Sequence, residues 1–236
     1  MTILFEDGFD ETADVSLWDG TVITTGEKVE VVTPGIHGKY AILCSSASAG
    51  PDQYATVTKT MTPAATILNA RGYFAVKGGL PLPKDGDRIN LIIFLNYACN
   101  VAITRVNGVD QFQLRVWNET TRAWVVANSG ISPQINKVYC VELEWRANQT
   151  AKLYIDGKLA GQVDIAGIND NTISTVRFGL GVTVTTGHTG LSVLCDTCAI
   201  GDAYIGPYQP VTPQIPILPL LIVGALVLIA SGKVGR

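Results

Sequence analysis

The chain has 236 residues, a formal charge of -3 and 16% charged residues, well under the roughly 25% of an average soluble protein. A length of this order fits one large β-sandwich or two smaller domains. The lack of a basic surplus excludes the electrostatic footprint of a DNA- or RNA-binding protein.

Met1 leads straight into Thr2-Ile-Leu-Phe-Glu-Asp, without the basic and apolar stretches of a signal peptide, so no cleavable export signal is expected. From there to residue 207, short stretches of period-two alternation recur between turn residues. This is the pattern of antiparallel β-structure, with no convincing helical period. Strands are predicted at 40–45, 55–59, 72–76, 89–97, 102–106, 111–117, 123–127, 138–145, 152–155, 175–181 and 191–205. Asp85-Gly86, Asn107-Gly108 and Asp156-Gly157 supply the residues that tolerate positive φ, and tight hairpins are predicted at all three.

The segment 111–117 should turn Phe112, Leu114 and Val116 inward and Gln111, Gln113, Arg115 and Trp117 outward. Trp124 continues the outward row across the next hairpin. Aromatic faces flanked by planar amide and guanidinium donors suit a carbohydrate ligand, so these five are the candidate binding residues, with Tyr97 and Asn100 as further candidates. The alternative for Trp117 and Trp124 is a cross-strand pair flanking the turn Asn118–Arg122.

In the segment 138–145, Tyr139, Val141, Leu143 and Trp145 share one face, and Cys140, Glu142 and Glu144 the other. Two carboxylates at i and i+2 are the raw material of a glycosidase. The alternative is a solvated sheet face with a basic neighbour such as Arg115.

Of the five cysteines, Cys44, Cys99, Cys140, Cys195 and Cys198, at most four can pair, which leaves a thiol over. Cys195 and Cys198 have CxxC spacing, but in a regular strand i and i+3 face opposite ways. Buried apolar roles or one structural disulfide are expected rather than redox or zinc chemistry. His37 and His188, each beside glycine, suggest no metal site. Asn118-Glu-Thr120 and Asn148-Gln-Thr150 match the glycosylation acceptor pattern at near-chance frequency and decide nothing about compartment.

Three segments together resemble the concanavalin A-like lectin/glucanase superfamily, in particular its laminin-G-like jelly rolls. They are Leu4-Phe-Glu-Asp-Gly-Phe-Asp10 with Trp18, then Trp145 with Lys152-Leu-Tyr-Ile-Asp-Gly-Lys-Leu-Ala-Gly161, and finally Asp196-Thr-Cys-Ala-Ile-Gly-Asp-Ala-Tyr-Ile-Gly-Pro207. The resemblance implies a two-sheet antiparallel jelly roll over residues 1–207, with the opening segment beside the closing strand. It also implies a hairpin at Tyr154-Ile-Asp-Gly157. Related β-glucanases carry an E-x-D-x-x-E or E-x-D-x-E strand; here the middle acid is Glu144, and Arg146 or Ala147 stands where the third would be. Polysaccharide lyases of this fold need basic, tyrosine-rich strands, which are not apparent. Asp7, Asp10 and Asp196 are similar to positions that hold structural calcium in related sandwiches; surface solvation or turn capping is the alternative.

Residues 208–216 read as a Pro-rich linker. From Ile215 to Ser231 there are 17 uncharged residues, followed by Lys233 and Arg236, and a single hydrophobic helix over 217–234 is predicted. It lies at the lower limit for spanning the roughly 30 Å hydrocarbon core of a bilayer. Burial among copies of itself is the alternative. The two basic residues favour a cytoplasmic C-terminus and an outward sandwich, which sits awkwardly with the missing export signal.

The expectation is a non-enzymatic, membrane-anchored binding module on a cell or virion surface that recognises glycan. The alternative is a self-associating structural subunit of a virion or surface lattice. A glycoside hydrolase using Glu142 and Glu144 is the third reading.

Overall fold

A computed structural model of the chain describes residues 1–9, 13–47, 53–95, 98–183 and 190–209. Its strands are β1 (Ile3–Asp7), β2 (Gly20–Ile23), β3 (Glu27–Val32), β4 (Ala41–Ser46), β5 (Gln53–Ala65), β6 (Ile67–Gly78), β7 (Arg88–Phe94) and β8 (Cys99–Val106). They continue as β9 (Val109–Asn118), β10 (Ala123–Asn128), β11 (Val138–Arg146), β12 (Thr150–Ile155), β13 (Lys158–Asp164), β14 (Ile173–Thr183) and β15 (Leu191–Gly201). Every pairing is antiparallel. The described residues thus form an all-β sandwich of two sheets. The predicted helix over 217–234 lies outside them; within them, no helix is long and apolar enough to cross a membrane.

The eight-stranded sheet runs β13-β12-β11-β6-β15-β4-β3, with β1 added on β15, and the seven-stranded sheet runs β10-β9-β8-β7-β14-β5-β2. The meanders β7 to β10 and β11 to β13 and the pair β3–β4 keep sequence neighbours side by side. The chain otherwise crosses from sheet to sheet, so β14 lies between β7 and β5, and β15 between β6 and β4. That crossing brings residues far apart in sequence onto one face.

Period-two alternation sets the core. Phe112, Leu114 and Val116 of β9 and Val141, Leu143 and Trp145 of β11 are each at most 1% exposed and pack in one cluster with Val176, Phe178 and Leu180 of β14. Trp145 also donates from Nε1 to the Asn171 carbonyl at 3.0 Å, because a buried indole N–H needs a partner. β1 adds antiparallel to the second half of β15, Phe5 opposite Ile200 and Asp7 opposite Cys198, so opening and closing segments meet. Beneath them Trp18 packs edge-on to Phe5 and Phe178.

Four strands were absent from the sequence reading: β1, β2, β3 and β13. Their exposed faces carry polar or mixed residues, which blunts the alternation. The turns Asn107-Gly108 and Asp156-Gly157 form as expected, all four residues having positive φ. Asp85-Gly86 does not close a hairpin; it lies in the crossover between β6 and β7, where the Asp85 carboxylate accepts from the Gly108 N–H at 2.8 Å.

A bulge in β15 overturns the expectation for Cys195 and Cys198. The register slips between Asp196 and Ala199, and Thr197 takes a φ of 47°. The extra residue turns both cysteines into the core, with their sulfurs 3.3 Å apart. All five cysteines are buried as free thiols.

Candidate functional site

The polar face of β11 differs from the solvated face predicted. Glu142 and Glu144 are 1% and 2% exposed, covered by residues 202–209, which fold back over the eight-stranded sheet. The Glu142 carboxylate accepts from the backbone N–H groups of Ile205 at 2.7 Å and Gly206 at 2.9 Å. Arg71 donates to the Gly206 carbonyl at 3.1 Å, and Tyr208 N–H reaches the Tyr73 hydroxyl. Glu144 accepts from Arg146 at 2.8 Å, Lys152 at 3.1 Å and the Tyr154 hydroxyl at 3.2 Å.

Burial pushes the Glu142 carboxyl above its ordinary range, against its two N–H donors and Arg71. For Glu144 burial acts in the same sense, but Arg146 and Lys152 outweigh it and hold the group low. Neither carboxylate has a free approach for a substrate, and their cationic partners come from β6, β11 and β12 rather than Arg115.

Asp7 and Asp196 are likewise engaged by N–H donors. Asp7 accepts from Phe9 N–H and Trp18 Nε1, both at 2.7 Å. Asp196 accepts from Ile36, His37 and Thr197 N–H groups. Donors of this kind fill the lone pairs that a calcium ion would need, so both aspartates act as turn and loop clamps. Asp10 lies outside the described residues, as do His188 and Tyr97. Among the described residues no three His, Cys, Asp or Glu side chains gather as a metal site.

The outer face of the seven-stranded sheet is different. Register places its residues in rows across the strands. Arg115 lies opposite Asn100, Asn100 opposite Ile93, Ile93 opposite Arg177, and Arg177 opposite Thr58. In the next row come Gln113, Ala102, Asn90, Gly181 and Tyr54, and beyond it Gln111, Thr104, Arg88 and Thr183. A groove of about 670 Å³ opens along these rows, bounded by Tyr54, Arg88, Asn90, Asn100, Trp124 and Thr183.

The five residues singled out from sequence take separate places around it. Trp124 lines the groove and Trp117 packs edge-on against it, ring centroids 5.4 Å apart. The Arg115 guanidinium lies 5.1 Å from the Trp124 ring centre and donates to Gln113 Oε1 at 2.8 Å. Gln113 also accepts from Thr104 at 3.2 Å and donates to Asn128 Oδ1 at 2.7 Å, so it aims Arg115. Gln111 accepts from the Gly130 N–H at 3.1 Å, which fastens the loop after β10. Asn100 lies beside Arg115.

The polar groups of this face are poorly matched by the protein itself. Arg115, Asn90 and Asn100 are 9%, 8% and 7% exposed. Among the described residues Arg115 Nε, Arg177 Nε, Asn90 Oδ1, Asn100 Oδ1 and the hydroxyls of Thr56 and Thr58 lack a hydrogen-bond partner. Buried polar groups without partners are costly; Asn90 and Asn100 line the groove and the others lie on the same sheet face, which marks a place where a polar ligand would complete the set. Burial pulls the Arg115 guanidinium down to about 10, and the charge of Arg88 adds to it.

Tyr54, Arg88, Asn90 and Arg177 were missed from sequence. Each comes from a strand, β5, β7 or β14, that carries at most one or two such residues, so no single strand reads as basic or tyrosine-rich. Only the sheet order assembles them.

No family model matches the chain, and no curated protein matches it. Solved structures do. One is the cellulose induced protein Cip1, 17% identical, with a TM-score of 0.63 over 86% of this chain and all of Cip1. Others are the binding domain of Paraclostridial Mosquitocidal Protein 1, 11% identical with a TM-score of 0.55, and that of botulinum neurotoxin serotype D in complex with N-acetylneuraminic acid, 14% identical with a TM-score of 0.53. At these identities the likeness shows the fold alone. The chain spans 45% of each of those toxin domains, and 79% and 81% of it is covered.

Proposed function

We propose that this protein is a non-enzymatic carbohydrate-binding module of the laminin-G-like jelly-roll kind, with its ligand site in the groove of the seven-stranded sheet. The observation that carries the reading is the groove itself. It joins an indole face to two buried asparagines whose Oδ1 atoms the surrounding protein leaves without partners, and Arg115 stacks on that indole beside it. A sugar offers C–H surface for the indole and hydroxyls that both donate and accept. Two solved structures of the same fold support the ligand class. One is the serotype D domain bound to N-acetylneuraminic acid, the other a neurotoxin type C whose cell entry depends on two ganglioside molecules.

Glu142 and Glu144, on the other sheet and engaged by their own neighbours, make a glycosidase centred on them the poorer reading. Residues 217–234, uncharged except for Lys233 near their end, are proposed to hold the module at a membrane through one hydrophobic helix, with the sandwich displayed outward. Glycan-array binding by wild type, Trp124→Ala and Arg115→Ala tests the site. Binding is expected to fall at least tenfold in both variants, and unchanged binding overturns the assignment.

A further inference from the structure

The groove's charge points to a narrower ligand class. The chain is net acidic, with 20 Asp and Glu against 17 Lys and Arg, yet the described residues that bound the groove include Arg88 and no aspartate or glutamate. Arg115 stands over Trp124 at one side, and Arg177 over the Tyr54 ring at 5.4 Å on the other.

Three other arginines in the sandwich are ion-paired: Arg71 with Glu6 at 3.0 Å, Arg105 with Asp110 at 3.2 Å and Arg146 with Glu144 at 2.8 Å. Among the described residues no such pair holds Arg115 or Arg177, and the Nε of each is buried without a partner. A guanidinium partly withdrawn from water with no counter-charge is unfavourable, and an anion brought by a ligand would relieve it. The planar fork of arginine fits a carboxylate through two parallel hydrogen bonds.

Register sets the spacing. Arg115 and Arg177 occupy one row, three strand steps apart, or about 14 Å. That is longer than a single sugar ring. Between them Asn100 and, one row along, Asn90 present unpartnered Oδ1 atoms, which accept from hydroxyls but repel a carboxylate. Anion sites at the two sides and hydroxyl acceptors in the middle describe an oligosaccharide with acid groups on separated residues.

We propose that the groove selects acidic oligosaccharides of the uronate type, with carboxylates held by Arg115 and Arg177 and ring hydroxyls accepted by Asn90 and Asn100. This rests on the groove being the carbohydrate site. No bond is made or broken.

The test is calorimetric titration of the full-length protein in mild detergent with four probes. These are an oligogalacturonate, the same oligomer with its carboxyls reduced to alcohols, a cello-oligosaccharide and a heparin-derived oligosaccharide. The oligogalacturonate is expected to bind at least tenfold more tightly than its reduced form, and more weakly as salt rises. Arg115→Gln and Arg177→Gln should each lower that affinity about tenfold and narrow the gap between the acidic and the reduced oligomer, whereas Trp124→Ala weakens both and leaves their ratio unchanged. Arg115→Lys, which keeps the charge and loses the fork, covers a failure of the glutamine variant to fold and should bind in between.

Equal affinity for the acidic and reduced oligomers overturns acid selection and leaves the carbohydrate site standing. Tighter binding of the heparin-derived oligosaccharide overturns the choice of carboxylate over sulfate. Absence of binding to every probe overturns the acidic class and the carbohydrate reading together.

Discussion

The outer faces of the two sheets are built from the same alternation of polar and apolar residues, yet they serve opposite ends. On the eight-stranded sheet the strap 202–209 covers the face, and Glu142, Glu144 and Asp196 are each engaged by several donors. On the seven-stranded sheet no described segment lies over the central rows, and arginines, asparagines and threonines remain unmatched. The covered side has exceptions, since both amide atoms of Asn69 and the Nε of Arg71 are buried without partners. A satisfied buried network holds a fold in one arrangement, whereas an unsatisfied one is tolerated where a ligand completes it.

The largest test of this contrast removes a clamp from the covered face. Glu142→Ala strands the Ile205 and Gly206 N–H groups and removes a negative charge near Arg71, and a loss of about 3 kcal/mol is expected in denaturant unfolding. Glycan binding by the folded fraction should be unchanged; a parallel loss of affinity would mean that the two faces are coupled.

Next comes a pair of arginines. Arg115→Met exchanges an unpaired buried charge for an apolar chain and should leave stability unchanged or raise it by about 1 kcal/mol, with glycan binding lowered at least tenfold. Arg71→Met should lower stability by about 2 kcal/mol, because Glu6 and the Gly206 carbonyl lose their donor. Melting temperatures of the two variants check the opposite signs, and equal losses would erase the distinction.

Acid titration separates Glu142 from Glu144. Glu144 is held below its ordinary value of 4.5, so the folded state binds fewer protons than the unfolded one. Its contribution to stability is present above 4.5 and is lost as pH falls through the depressed value. Glu142 is raised above 4.5; its contribution is complete below 4.5 and is lost as pH rises through the raised value. Denaturant midpoints across pH 3 to 7 should therefore lose part of their upward slope in Glu144→Gln and part of their downward slope in Glu142→Gln.

The smallest effect is expected at Trp117. Its edge-on contact with Trp124 is worth about 1 kcal/mol beyond the area buried, and since Trp124 rather than Trp117 lines the groove, Trp117→Ala should weaken glycan binding less than Trp124→Ala. Side-by-side affinities of the two variants decide which indole touches the ligand.

Much of the sandwich was legible because burial imposes period two. Phe112, Leu114 and Val116 could be read as core from their spacing, as could Val141, Leu143 and Trp145. The turns at Asn107-Gly108 and Asp156-Gly157 were legible because positive φ restricts residue type. The bulge at Asp196 to Ala199 was not: it adds one residue to a strand whose composition is otherwise ordinary, and that residue turns Cys195 and Cys198 to the same side. Of the candidate site, Arg115 and Trp124 were found because they share a hairpin. Tyr54, Asn90 and Arg177 were missed, since they come from β5, β7 and β14, which meet only through sheet order.

By itself the sequence determined the β class, the core face of each regular strand and the low net charge, all consequences of local geometry and composition. Tertiary structure alone decided which polar face is covered and which forms a groove. Alternation tells a side chain to leave the core, but whether it then meets water, a returning strap or a ligand depends on where distant segments cross.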